Sequence, residues 1–394
     1  MIVRPARRLA VPALCLLVAL FARGNGLAQD LPRGQIIDDI QCVDDQAQHY
    51  SLFLPSNFTP NRTWPVILAF DAGGRGRRGV ERYQAAAERY GYIVAGSNNS
   101  RNGPWKRSLE AARAMTADVT GRFSVDLKRV YTAGMSGGAR VAMMVALHPD
   151  VIAGRVRPEI AGVLASSAGF PPGEFRESVG FPIFGTAGTE DFNHREMTNL
   201  DQVVKSPHRV VVFEGGHTWL PTELATAAVE WMEVQGMVGG IRPRDQALVD
   251  NVFARRTAQA DGLKSGLARM RELQSIARDF RGLKDVSGLN QRAVALSTQT
   301  DVKAALEVER ADDEREDEFG AEMSVLLEEV DISSGFAKLK ARVTELLDQS
   351  RAVSDSSSRR IARRVLASLR AATGGMRNPE LQELLAQIPV TTPR

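Results

Sequence analysis

Ser136, His217 and Asp191 are the side chains whose types and order could turn a hydroxyl into a nucleophile. A serine hydroxyl is unreactive at neutral pH. It attacks a carbonyl when a base takes its proton, and an imidazole is a dependable base when a third group holds its tautomer. Ser136 stands in Gly134-Met135-Ser136-Gly137-Gly138, a Gly-x-Ser-x-Gly pattern. Three matching residues are a weak signal alone, and the flanks give them meaning. Val130, Tyr131 and Thr132 lead in as a strand would. Val141, Met144, Val145 and Ala146 follow at helical spacing until His148 and Pro149 stop the run. Strand, sharp turn and helix together hold a serine in a strained conformation at the carboxyl edge of a sheet. The turn needs small neighbours, which Gly134 and Gly138 supply. The helix then aims its first N–H groups and positive dipole end at a developing oxyanion.

The base can be sought among five histidines. His49 lies in an early strand. His148 ends the helix behind Ser136, on the side away from it. His208 begins a strand, at the wrong end of a sheet. His194 shares a turn with Asp191. His217 follows a strand's carboxyl end in a glycine-flanked loop, which makes it the expected base. The acid should come from the loop after the preceding strand, in the order Ser136, Asp191, His217. Glu190 is the adjacent alternative, and Asp201 lies farther along the following helix.

Such a constellation needs a scaffold that brings several loops to one edge. Residues 48–55, 64–70, 91–97, 129–134, 159–167 and 208–214, with a short run inside 181–193, read as strands. Residues 80–90, 109–123, 139–147 and 223–235 read as the helices between them. Alternation of this kind predicts an α/β fold with a doubly wound, mostly parallel sheet. The loop Asp71-Ala72-Gly73-Gly74-Arg75-Gly76-Arg77 follows a buried strand, where glycines let backbone approach a substrate. A phosphate loop is the competing reading, but the spacing lacks the GxxxxGK[ST] signature. Asn98, Asn99, Asn102 and Trp105 lie in a polar loop at another strand's carboxyl end. They are candidate substrate contacts, or else they hydrogen-bond the loop to itself.

Residues 48–235 resemble the α/β-hydrolase superfamily. Within it they are similar to secreted esterases grouped with polyhydroxybutyrate depolymerases and feruloyl esterases. The residues that carry the resemblance are Gly134 to Gly138, the Asp71-Ala72-Gly73-Gly74 loop, Asp191 and Gly216-His217-Thr218-Trp219. An HGGG-type oxyanion motif is absent, since Asp71 and Ala72 precede the glycines. The resemblance implies an α/β-hydrolase fold and ester cleavage through an acyl-enzyme. It implies a first oxyanion donor at Ala72 or Gly73 and a second at Gly137. It also adds Trp219 to the expected substrate contacts.

Residues 1–28 have the pattern of a signal peptide: Arg4, Arg7 and Arg8, an apolar run, and Gly26-Leu27-Ala28 before Gln29. The apolar run is short for a membrane span and contains Pro12. An exported chain, periplasmic or extracellular, with no stable membrane span after cleavage is expected. Four arginines fall in the segment, so the formal charge of +3 becomes about −1 without it, which removes the case for nucleic-acid binding. Cys42 would be the one remaining cysteine, read as a small buried hydrophobe. No CxxC or HExxH spacing occurs, and neither metal nor cofactor is expected.

The division expected is a catalytic domain over 29–240 and an all-α region over 241–394. From Arg242 onward strand signals vanish. Leu263, Leu267, Met270, Leu273, Ile276, Ala277 and Phe280 form an apolar helix face. The tone is that of tetratricopeptide regions, but no repeat of about 34 residues with marker residues is found. The acidic run 311–318 and the cluster Arg359, Arg360, Arg363 and Arg364 read as solvated helix faces. This half holds no catalytic constellation and is either a packing appendage or a protein-binding surface. Three functional readings follow. The first is a serine esterase acting on a small or polymeric ester. The second is a serine peptidase with the same triad. The third is a non-catalytic hydrolase fold whose helices bind a partner.

Overall fold

The structure, a computed structural model, describes residues 31–331 and 333–388. The expected signal segment, residues 1–28, lies outside the described residues. Eight strands form one sheet: β1 (Ile36–Gln41), β2 (His49–Phe53), β3 (Trp64–Asp71), β4 (Ile93–Ser97), β5 (Val125–Met135), β6 (Ile160–Ser166), β7 (Ile183–Gly188) and β8 (His208–Phe213). Their order is β1-β2-β4-β3-β5-β6-β7-β8. The pairs β1–β2 and β2–β4 are antiparallel, and every pairing from β4 across to β8 is parallel.

The strand sequences explain their depth. All eight residues of β3 are buried, so it reads as a continuous apolar run rather than an alternating one. Val66, Leu68 and Phe70 join a core with Met115, Val119 and Val141 on one face. Ile67 and Ala69 join another with Tyr83, Ala87 and Trp231 on the opposite face. Helices α1 (Gly76–Tyr90) and α5 (Thr222–Val238) cover the second face, and α2 (Trp105–Arg122), α3 (Gly137–Leu147) and α4 (His194–Val203) the first. This is the doubly wound α/β-hydrolase fold. Strand β1 was outside the expected set. Asp38 and Asp39 sit at exposed positions of an edge strand, and that breaks its apolar pattern.

The strand order reverses at β3. The chain passes from β3 to β4 on one side, then returns to β5 on the other. Such a switch point leaves a crevice at the carboxyl ends of the strands. The loops after β3 and β5 therefore meet, and these are the glycine-rich loop and the serine turn.

Seven helices follow among the described residues: α6 (Gln246–Asp261), α7 (Gly266–Asp279), α8 (Ser287–Ser297), α9 (Thr300–Glu328), α10 (Ser333–Ser350), α11 (Ser357–Thr373) and α12 (Pro379–Ala386). Asp245, Ser265, Ser356 and Asn378 cap four of them with side-chain oxygens. Val234 and Met237 at the end of α5 share a core with α6, α7 and α8. A separate core joins the end of α9 to α10, α11 and α12. The 29-residue α9, about 44 Å long, spans both.

Neither charged run of this region is wholly the solvated face that composition suggests, although Glu314, Asp317 and Glu318 are exposed. Glu316 of the acidic run is buried against Arg364, while Asp313 and Asp317 pair with Arg195 of α4. Arg359 and Arg363 pair with Glu190, and Arg360 with Glu214. Opposite charges on α9, α11 and the catalytic loops account for one another, a pairing that no single segment reveals.

Candidate active site

Ser136 occupies the turn between β5 and α3 with φ 57° and ψ −123°. A left-handed φ on a non-glycine residue costs about 1–3 kcal/mol and persists only where the surroundings hold it. Here they do. A Cβ on Gly134 would lie 2.1 Å from the Gly138 carbonyl oxygen, and one on Gly138 would lie 2.1 Å from that of Phe70. Backbone meets backbone at both glycines, so no side chain can give way. The Ser136 amide donates to the Ser166 carbonyl at 2.8 Å, tying the turn to β6.

Ser136 Oγ lies 2.8 Å from His217 Nε2, and His217 Nδ1 lies 2.7 Å from Asp191 Oδ1. With the proton on Nδ1, that nitrogen donates to the carboxylate and Nε2 accepts from the serine. The Asp191 side chain is fully buried. Its Oδ1 also accepts the Asn193 amide at 2.8 Å, and Oδ2 is buried with no hydrogen-bond partner among the described residues. Phe192 stacks on the His217 ring with centroids 3.9 Å apart and covers one face of the base. Glu190, the alternative acid, pairs with Arg363 at 2.6 Å instead. The other histidines all have partners elsewhere: His49 meets Asp39, His148 Glu174, His194 the Gly188 carbonyl, and His208 the carbonyls of Ser206 and Asp201.

The loop after β3 narrows the oxyanion donors. The Gly73 amide, one of the two expected first donors, is engaged by Asp71 Oδ1 at 2.8 Å. Among the described residues, the Ala72 and Gly137 amides have no hydrogen-bond partner outside the strand and helix ladders. Gly73 drops out of the expected set because Asp71 folds back onto it. The phosphate-loop reading fails for a related reason. Arg75 pairs with Asp71, and Arg77 with Asp38 and Glu81, so these guanidiniums already face carboxylates.

The expected substrate contacts divide. Asn98 bonds to Ser51 and the Asp38 carbonyl, and Asn99 holds the His49 amide at 2.7 Å and the Ala47 carbonyl. Both asparagines brace β1 and β2, which corrects the substrate reading. Trp219 is buried, with its indole Nε1 donating to Asp71 Oδ2 at 2.9 Å, so it too is a brace rather than a contact. Asn102 differs. Its amide donates to the Ala72 carbonyl at 2.8 Å, and a Cβ on Gly137 would fall 1.7 Å from its Oδ1. Its side chain therefore lies over the residue after Ser136. Trp105 opens α2 with 39% of its surface exposed.

Two residues of the site escaped the sequence reading. Burial raises the Asp71 carboxyl pKa, but the Arg75, Trp219 and Gly73 donors outweigh it and leave the group below the usual carboxylate range. This anion joins the β3 loop to the segment carrying His217. An acid closing an otherwise apolar strand was the one available signal. Ser167, with φ 58°, donates from Oγ to the Thr218 carbonyl at 2.9 Å and accepts from Asn193 Nδ2 at 2.7 Å. It ties the acid loop to the base loop, and nothing local marks it. Among the described residues, no group of three or more His, Cys, Asp or Glu could hold a metal ion, and no helix is long and apolar enough to cross a membrane.

No family model matches the chain, and no curated protein matches it in sequence. Solved structures do resemble it. An esterase from the archaeon Pyrobaculum calidifontis is 12% identical over 56% of this chain and 93% of that one, with a TM-score of 0.41. A propionate-bound esterase from the planctomycete Thermogutta terrifontis is 14% identical over 55% and 98%, at 0.40. A thermostable esterase is 17% identical over 50% and 62%, at 0.38. Likeness at this level carries no activity across, and the fold rests on the strand order itself.

Proposed function

We propose that the chain is a serine-dependent carboxylic ester hydrolase acting through an acyl-enzyme. The observation that carries this reading is the unbroken line from Ser136 Oγ through His217 to Asp191 Oδ1, beside two uncommitted amides, those of Ala72 and Gly137. In the first step His217 Nε2 takes the Ser136 proton as Oγ attacks the ester carbonyl. Asp191 stabilises the imidazolium that forms. The Ala72 and Gly137 amides receive the oxyanion, a contribution of about 3 kcal/mol per donor. His217 then protonates the departing alcohol and, in the second half, activates the water that releases the acid. The finer resemblance to polyhydroxybutyrate depolymerases and feruloyl esterases is part of the proposal, as is export through residues 1–28.

The test is hydrolysis of a p-nitrophenyl acyl series, with Ser136→Ala as control and a fluorophosphonate as covalent probe. Activity and labelling should vanish together in the variant. Labelling that persists in Ser136→Ala would remove Ser136 from its role, and no turnover of any ester by folded protein would remove the esterase reading. Polymer film set against a feruloyl ester separates the two finer readings, and the mass of exported protein reports cleavage before Gln29.

A further inference from the structure

We propose that Arg364, supported by Arg363 and Arg359, is a positioning residue for the triad acid, so that the helical region forms part of the catalytic apparatus. The proposal rests on the reading of Asp191 and His217 as acid and base.

The loop that carries Asp191 is tied chiefly to the loop that carries His217. Thr189 and Glu190 donate to the carbonyls of Phe213 and Gly215, both on the segment that leads to His217. Acid loop and base loop thus hold each other. From outside the pair, Ser167 and Asp71 supply side-chain bonds from within the α/β unit, and the helices supply the arginine contacts. Arg364 Nη1 donates to the Thr189 carbonyl at 2.7 Å, two residues ahead of Asp191. The same guanidinium grips Glu316 of α9, Nε to Oε1 at 2.8 Å, and both side chains are about nine-tenths buried. A buried ion pair is tolerated only when its remaining donors are satisfied, and here one of them is satisfied by the catalytic loop. Arg363 bonds Glu190 at 2.6 Å while its Nε holds the Ser350 carbonyl at the end of α10. Arg359 reaches the same carboxylate at 3.6 Å. Beyond Asp191, Arg195 is held by Asp313 at 2.7 Å and Asp317 at 2.8 Å. The loop is therefore gripped on both sides of the acid.

The grip is selective. Among the described residues, no hydrogen bond or ion pair runs from residues 246–388 to residues 71–74 or 136–140. The helices touch the proton-handling half of the site and leave the nucleophile and oxyanion half alone. Displacing Asp191 weakens the imidazolium that forms in the transition state, which lowers kcat while substrate binding stays the same.

Burial, and after it the Arg364 charge, push the His194 imidazole below its usual range. The Arg364 charge is therefore felt in the turn that carries Asp191.

Two variants test the proposal: Arg364→Met combined with Glu316→Gln, which removes the grip without stranding a buried charge, and Arg363→Gln. The first should lower kcat about 10- to 100-fold with KM little changed, the second about 3-fold. The downfield proton resonance of His217 Nδ1–H, identified by its loss in Asp191→Asn, should shift in both. Arg310→Gln, at an exposed pair on α9, is the control. Folded variants with unchanged kcat and resonance overturn the proposal, even if they melt earlier. Should the double variant fail to fold, Arg363→Gln decides by the same readouts. If the parent protein neither cleaves esters nor takes the fluorophosphonate, the hydrolase reading fails, while the resonance still tests the positioning role.

Discussion

The two halves of the site are built on different principles. The nucleophile half, Ser136 with the Ala72 and Gly137 amides, sits where β3 and β5 lie side by side at the centre of the sheet. Its shape comes from glycines that bring backbone within contact of backbone, with Gly134 against Gly138 and Gly138 against Phe70. The acid–base half sits on loops after β7 and β8, toward the sheet's far edge. Its shape comes largely from side chains: Asn193 of the acid loop itself, Ser167 just after β6, and the arginines of α11. Close backbone packing is local and stiff. Side-chain bracing is assembled from distant segments and can be altered one group at a time. Changes in the first half should disturb folding and chemistry together, whereas changes in the second should separate them.

The largest effect expected is that of Ser136→Ala, with kcat reduced roughly a millionfold and fluorophosphonate labelling lost. Next comes Asp191→Asn, at about ten-thousandfold in kcat with the fold retained, measured by steady-state hydrolysis and circular dichroism. Glu190→Gln should cost far less than Asp191→Asn, and equal losses would undo the assignment of the acid. Gly138→Ala attacks the other half. A Cβ 2.1 Å from the Phe70 carbonyl forces α3 away from β3, so urea unfolding should show a loss of about 3 kcal/mol along with inactivation.

Asp71→Asn probes the connection between the halves. The Asp71 pKa is depressed in the folded state, so its contribution to stability is complete above about pH 4 and is lost as pH falls through the folded value. The parent should lose stability in that window and the variant should lose less, which urea midpoints at pH 3 and pH 7 would reveal. At neutral pH the variant should be about 2 kcal/mol less stable. The smallest effect concerns Cys42. Burial first, then the Asp118 and Asp45 charges, push its thiol up to about 12, so the folded protein should not react with a disulfide reagent at pH 8.

Legibility in the sequence follows the same division. The turn around Ser136 could be read because its demands are local: a strand, two glycines and a helix within a dozen residues. His217 could be read because histidines are few and this one follows a strand. Chain order placed the acid on this loop but could not separate Asp191 from Glu190; the His217 contact of one and the Arg363 pairing of the other distinguish the two neighbours. Asn98 and Asn99 looked like substrate contacts because they sit in a polar loop at the sheet's carboxyl edge, and Trp219 because of the family resemblance. The groups they brace lie on β1, at or just ahead of the start of β2, and on β3, and no inspection of their own loops reveals that.

Alternating apolar runs, breakers and caps by themselves determined the α/β sheet, the helical region after it, and the serine turn with its base in order. These depend on interactions between residues close in sequence, and each segment carries its own signal. Tertiary structure alone decided which amide remains open for an oxyanion, which carboxylate meets the imidazole, and where the charged runs of the helical region point. Each of those outcomes depends on a partner contributed by a segment far along the chain. Charges in particular do not declare their partners: Arg364 and Glu316 look solvated one at a time, and become a buried pair on the catalytic loop only when α9 and α11 are brought together.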